Sequence, residues 1–191
     1  IISRFYSALF SILLIPLLFF LGKRLYGETG GILAAGLATF SVGFIQFAHF
    51  GTTEMWLALF STLFFTLTLS FSRRLTVGKL VLLGLVSGIL IATKVSSLVL
   101  LILPLPALYL AYRKQTSSKT NLKILLKTSV AFVLILWIAA LFVFVTNPFI
   151  MFDTTSFRGS LTYESSLAIG TLPVFYTQEF FNTIPGIYQL F

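Results

Sequence analysis

A chemical reading of this chain begins at Glu54. It closes the stretch His49-Phe50-Gly51-Thr52-Thr53-Glu54 and stands directly before apolar Met55-Trp56-Leu57. A carboxylate against such a run is costly unless it faces water, a cation or a bound partner. The same residues also suit a helix start, with Thr52 or Thr53 as N-cap and Glu54 favoured by the N-terminal dipole. His49 is the single histidine; it reads either as a hydrogen-bonded surface residue or as a ligand-binding group. Lys94 lies between two apolar runs. It serves either as an anchor whose ammonium reaches the interface or as a holder of phosphate. Arg4 opens the first apolar run.

A further polar group follows Pro148. Residues 153–191 carry Asp153, Arg158, Tyr163, Glu164, Tyr176, Gln178, Glu179 and Asn182 among many aromatics. Thr154 to Ala168 can form a helix capped by Asp153, with Phe157, Leu161 and Ala168 on one face. Its expected place is flat on a membrane surface, as a connector or as a lid over a site. Gly170, Pro173, Pro185 and Gly186 then interrupt regular structure.

The elements that position these residues follow from composition. Hydrophobic residues are 58% of the 191 and charged residues 9%, against roughly a quarter charged in soluble domains. So few charges cannot cover a water-soluble globule, and lipid is the solvent for much of the chain. There is no cysteine, which excludes disulfides and thiolate metal sites, and one histidine excludes a multi-histidine centre. The net charge of +8 reads as loop charge that orients a membrane protein, not as a nucleic-acid footprint.

Stretches free of Asp, Glu, Lys and Arg run over 5–22, 29–53, 55–72, 80–93, 95–112 and 128–152. Spanning hydrocarbon takes about 20 helical residues, and a helix satisfies its own backbone in lipid. The expected fold class is therefore all-α: a polytopic transmembrane bundle of about six spans, near 5–22, 31–50, 55–72, 77–93, 95–112 and 128–147, with an extracytoplasmic interfacial segment. Thr76, Val77 and Gly78 lengthen the short fourth run. Pro148 ends the sixth run, Pro104 and Pro106 mark a kink in the fifth, and Gly84-x-x-x-Gly88 is a weak signal of close helix contact.

Six spans place Lys23, Arg24, Arg73, Arg74, Lys79, Arg113, Lys114, Lys119, Lys123 and Lys127 on one side and Arg4, Lys94 and Arg158 on the other. The positive-inside rule puts the ten in the cytoplasm. Arg4, His49, Glu54, Lys94 and residues 147–191 then face outward. Burying Lys94 inside one longer span removes a crossing and throws Arg113–Lys127 to the wrong side. Ile1 without a preceding methionine, and an end inside an aromatic stretch, suggest a fragment with both ends incomplete.

With these residues in view, the chain resembles the GT-C superfamily of polytopic glycosyltransferases, in its protein-mannosyltransferase-like and aminoarabinose-lipid A transferase-like branch. Arg4-Phe5-Tyr6-Ser7-Ala8-Leu9 resembles the Arg-x-x-Ser-Ala opening of that family's second span. Gly27-Glu28-Thr29-Gly30-Gly31 through Ala35 resembles its cytoplasmic turn and following helix. Ala48 through Glu54 resembles a stretch where the family usually has aspartate. Gly84-Leu85-Val86-Ser87-Gly88 through Ala92-Thr93-Lys94 resembles its glycine-rich span ending in Thr-Lys. Asn147-Pro148-Phe149, Tyr163-Glu164 and Pro173 to Pro185 resemble its long extracytoplasmic segment.

The resemblance implies an integral protein of a prokaryotic plasma membrane that transfers a sugar from a polyprenyl-phosphate donor to a lipid, glycan or protein acceptor. It implies a general base upstream of Ile1, leaving Glu54 as the second acidic group of the site, and a divalent metal where members use one. Attack by an acceptor hydroxyl needs a carboxylate to take the proton, and the leaving phosphate needs a cation. Lys94, Arg158 or Arg4 supplies that cation. Tyr163, Tyr176 and Gln178 hold the sugar by stacking and hydrogen bonds, beside His49 and Glu164. A transporter or lipid flippase is the alternative; it predicts mid-membrane charge and a pseudo-symmetric second half, and the spans are nearly free of mid-depth charge.

Overall fold

The computed structural model describes residues 2–71, 74–115, 121–169 and 171–172. Among these residues all regular structure is helical. The helices are α1 (Ile2–Thr39), α2 (Val42–Phe50), α3 (Glu54–Ser70), α4 (Val77–Thr93), a 3-10 segment (Val95–Ile102), α5 (Pro104–Gln115), α6 (Asn121–Thr146), α7 (Phe149–Phe152) and α8 (Thr154–Ile169). The chain divides into two units, Ile1–Thr146 and Asn147–Phe191.

α1 reverses at Gly27, whose φ of 78° and ψ of −170° are non-helical. This backbone is open to glycine and strained for other residues. The limbs 2–26 and 28–39 then double back on one another. A Cβ on Gly22 would stand 2.6 Å from the Gly30 carbonyl oxygen and 3.0 Å from Ala34 Cβ, and one on Gly31 would meet the Phe19 oxygen at 2.8 Å. Glycines let the two backbones touch, as close helix pairs in lipid require.

Among the described residues three helical stretches are long and apolar enough to cross a membrane, Ile2–Thr39, Val95–Gln115 and Asn121–Thr146; Glu54–Ser70 and Val77–Thr93 are shorter apolar helices. The expected second span, 31–50, is divided. Helix stops at Thr39 and resumes at Val42, with Ser41 extended at φ −66° and ψ 115°. Thr39, Phe40 and Ser41 are all modest helix formers. The expected fifth span begins as a 3-10 turn and becomes α-helical at Pro104. Proline has no N–H for the Leu100 carbonyl; Leu103 N–H donates to it instead at 3.1 Å. Thr76 caps α4, its side chain accepting from Lys79 N–H, and α6 ends at Thr146, before Pro148.

Pairings of named residues give the helix directions. Ser7 meets Thr52 while Arg24 meets Thr66 and Leu69, so the first limb of α1 runs parallel to α3. Lys94 meets Glu54 while Lys79 meets Ser70, so α4 is antiparallel to α3. The glycines of Gly84-x-x-x-Gly88 press on α6: a Cβ on Gly84 would lie 2.7 Å from Ile138 Cβ, and one on Gly88 2.6 Å from Phe142 Cβ. Equal steps along both helices make α4 and α6 parallel. Phe64, Leu83, Leu90, Leu108 and Ile135 form the core between them. Outside that seam α6 stays apolar: Val130 and Trp137 are exposed while Ile124, Ala131, Ile135 and Ala139 are buried. An apolar exterior of this kind is a lipid-facing one.

Two chemically different ends result. At one end Arg24 donates to the Thr66 and Leu69 carbonyls at 3.4 and 2.6 Å, and Lys79 Nζ to the Ser70 and Arg74 carbonyls at 3.1 and 2.7 Å. These cations complete and favour the C-terminal end of α3. Lys23 pairs with Glu28 at 3.1 Å, and Lys123 and Lys127 begin α6 at the same end. Glu54 begins α3 at the other end, about 25 Å away by helix rise.

Candidate functional site

The turn between α2 and α3 is built by two local features. Gly51 takes the left-handed conformation, φ 65° and ψ 32°, and closes α2. Thr53 is the N-cap of α3, but without a side-chain cap bond. The cap is thus one of the two expected threonines, and it engages the helix through its carbonyl, which accepts from Leu57 N–H at 3.0 Å. Glu54 becomes the first residue of α3, where the helix dipole favours a carboxylate.

The turn rests on the start of α1. A Cβ on Gly51 would approach Ser3 Oγ at 2.8 Å, Arg4 N at 3.0 Å and Arg4 Cγ at 3.1 Å. Ser7, 1% exposed, donates its hydroxyl to the Thr52 carbonyl at 3.1 Å. Just beneath, Tyr6, Phe10, Trp56 and Phe60 form an aromatic cluster, with Phe10 and Trp56 centroids 4.3 Å apart. Leu14, Met55 and Leu59 pack below it.

Lys94 terminates α4 in an extended conformation, φ −152° and ψ 118°. Its ammonium lies 3.6 Å from Glu54 Oε1, with the side chains 53% and 39% exposed. An ion pair so exposed adds at most about 1 kcal/mol of stability. It sets a carboxylate and an ammonium side by side, both reachable from outside. Arg4 is exposed at the same end.

His49 is exposed and its Nδ1 lies 2.7 Å from the Ile45 carbonyl. A carbonyl only accepts, so Nδ1–H is the donor in this contact. Among the described residues, no three His, Cys, Asp or Glu side chains converge as metal ligands do.

Arg158, Tyr163 and Glu164 lie on α8 in the second unit, all exposed. Asp153 caps that helix as its sequence suggests, with Oδ1 accepting from Ser156 N–H at 3.1 Å. The hydrogen bonds from the Ser156 side chain and backbone hold the Asp153 carboxyl below the usual carboxylate range. Tyr176 and Gln178 fall outside the described residues.

The structure therefore pairs Glu54 with Lys94 and seats the Gly51 turn on Arg4, with His49 in the last turn of the helix that leads into it. Sequence reasoning missed two contributors. Ser7 appears in the Arg4–Leu9 stretch without a role, and the contact of Gly51 with Arg4 is invisible along the chain. The one signal for the latter is a glycine followed by two threonines, which is consistent with many turns.

No curated protein and no solved structure matches the chain. A family model described as dolichyl-phosphate-mannose-protein mannosyltransferase matches residues 2–143. That match takes in Arg4, the Gly51 turn, Glu54, Lys94 and the paired α4 and α6. The chain belongs to the dolichyl-phosphate-mannose-protein mannosyltransferase family, membrane glycosyltransferases of the GT-C type.

Proposed function

We propose that the chain carries part of the site at which a sugar passes from a polyprenyl-phosphate donor to a hydroxyl of a lipid, glycan or protein acceptor, on the extracytoplasmic side. The acceptor oxygen bonds to the anomeric carbon as the carbon–oxygen bond to the lipid phosphate breaks. The acceptor proton passes to a carboxylate, and the phosphate leaves with the bonding electron pair. Glu54 orients the acceptor and assists removal of its proton. Lys94 and Arg4 receive the phosphate charge. His49, Arg158, Tyr163, Glu164, Tyr176 and Gln178 are assigned to contacts with sugar and acceptor.

The observation that carries this reading is the Glu54–Lys94 pair, 3.6 Å apart and open to solvent. Both charges the reaction needs stand at one end of an apolar bundle, where the donor's tail stays in hydrocarbon while its head group enters. The opposite end holds most of the lysines and arginines, which favours an outward-facing site.

The test is transfer of labelled sugar from a polyprenyl-phosphate donor by membranes containing the full-length protein. Glu54→Gln lowers turnover by about 100-fold or more, with unchanged protein in the membrane. Undiminished turnover reduces Glu54 to a helix-terminal residue and removes the proposal.

A further inference from the structure

Hydroxyls within these helices mostly bond backward. Ser11, Thr62, Thr66, Ser87 and Thr93 each donate to a carbonyl of their own helix, three or four residues earlier. This is the ordinary solution for a hydroxyl in an apolar helix. Ser7 departs from it. Although 1% exposed, it reaches across 45 residues of sequence to the Thr52 carbonyl.

That carbonyl lies just ahead of the α3 N-cap, and Thr53 is the residue whose carbonyl enters the helical ladder. A buried hydroxyl without a partner is costly; Ser7, 1% exposed, finds its acceptor in this carbonyl rather than in its own helix. On the neighbouring residue, Gly51 combines positive φ with contact against the Arg4 backbone, and a Cβ there would meet Arg4 N at 3.0 Å. The turn is thus held to α1 at two consecutive residues. Glu54 follows two residues after Thr52, and its carboxylate lies 3.6 Å from the ammonium of Lys94 at the C-terminal end of α4.

We propose that Ser7 is a positioning residue for the transfer reaction: its hydrogen bond to Thr52, with the close seat of Gly51 on Arg4, sets where the Glu54 carboxylate stands relative to Arg4 and Lys94. The inference rests on the role proposed above for Glu54. Ser7 touches no substrate and acts through the turn. Small displacements of a reacting group carry large kinetic costs without a matching loss of binding. Loss of the bond therefore lowers kcat and leaves the donor KM in place.

The experiment compares Ser7→Ala, Ser7→Cys and Glu54→Asp, and each serine variant combined with Glu54→Asp, in membranes of the full-length protein. Glu54→Gln is run beside them. Ser7→Ala lowers kcat by about 10-fold or more, with donor KM within about twofold of wild type. Ser7→Cys fills the same space with a weak donor and gives the same fall if the alanine variant does not accumulate. In the Glu54→Asp background either serine change adds less than about twofold, because both act on one carboxylate. Wild-type kcat for both serine variants overturns the positioning role, as do losses that multiply with those of Glu54→Asp. Full turnover by Glu54→Gln instead removes the underlying reading of Glu54, so the two failures are told apart.

Discussion

The Lys94 ammonium stands 3.6 Å from the Glu54 carboxylate, joining the last turn of α4 to the first residue of α3. Each end of α4 is tied to α3 by a lysine, since Lys79 Nζ donates to the Ser70 carbonyl at the other end. The two lysines differ in partner. Lys79 meets carbonyls, which it caps; Lys94 meets a carboxylate, from which a phosphate can draw it.

That difference gives a prediction for Lys94. Lys94→Ala raises the donor KM by about 10-fold or more, the loss of a charge-assisted contact to phosphate, and Lys94→Arg restores part of it. Exchanging the charges, Glu54→Lys with Lys94→Glu, keeps the ion pair but leaves transfer at the level of the single variants. Steady-state assays with graded donor decide it, and a charge-exchanged protein with wild-type turnover would leave the pair a purely structural contact.

Sidedness is checked by labelling. The chain contains no cysteine, so a single introduced thiol reports its own side. Thr53→Cys reacts with a membrane-impermeant reagent applied outside intact cells, and Leu122→Cys, near Lys123 at the opposite end, does not. The reverse pattern places the Glu54 end in the cytosol and removes the extracytoplasmic assignment.

Packing of α4 on α6 is sensitive to size. Gly88→Leu sets bulk where a Cβ alone would be 2.6 Å from Phe142 Cβ, and destabilises by about 1–3 kcal/mol, as overpacking does. Gly78→Leu lies on a glycine with no neighbour within 4 Å and leaves stability nearly unchanged. Thermal unfolding in detergent separates the two.

Asp153 supplies a pH dependence outside the spans. Its carboxyl is held low by Ser156 hydrogen bonds, so its contribution to α8 is fully present above the unfolded Asp value of about 3.9. That contribution fades as pH falls through the lower folded value. Protection of the Ser156 amide, its exchange rate measured against the intrinsic rate at each pH, falls in that acid window, and Asp153→Asn removes the dependence.

Much of the helix inventory is legible along the chain. Starts and stops at Thr76, Pro104, Pro148 and Asp153 fall where proline, threonine and aspartate chemistry puts them. The break at Ser41 is less legible, because Thr39-Phe40-Ser41 disfavours helix only mildly. Along the chain the cap before Glu54 stays open between Thr52 and Thr53; the fold gives it to Thr53, without a side-chain cap bond, and Ser7 bonds the neighbouring Thr52 carbonyl.

By itself the sequence determined that apolar helices cross lipid with charges gathered at their ends, because an unpaired charge or an open backbone group in hydrocarbon costs too much. Which faces meet was decided by tertiary structure alone. A helix such as α6, apolar all round, carries no stripe to say which side is buried. Only folding showed Gly84 and Gly88 against α6, Ser7 beneath Thr52, and Glu54 beside Lys94, because shape and a few paired polar groups choose helix partners where hydrophobicity is everywhere the same.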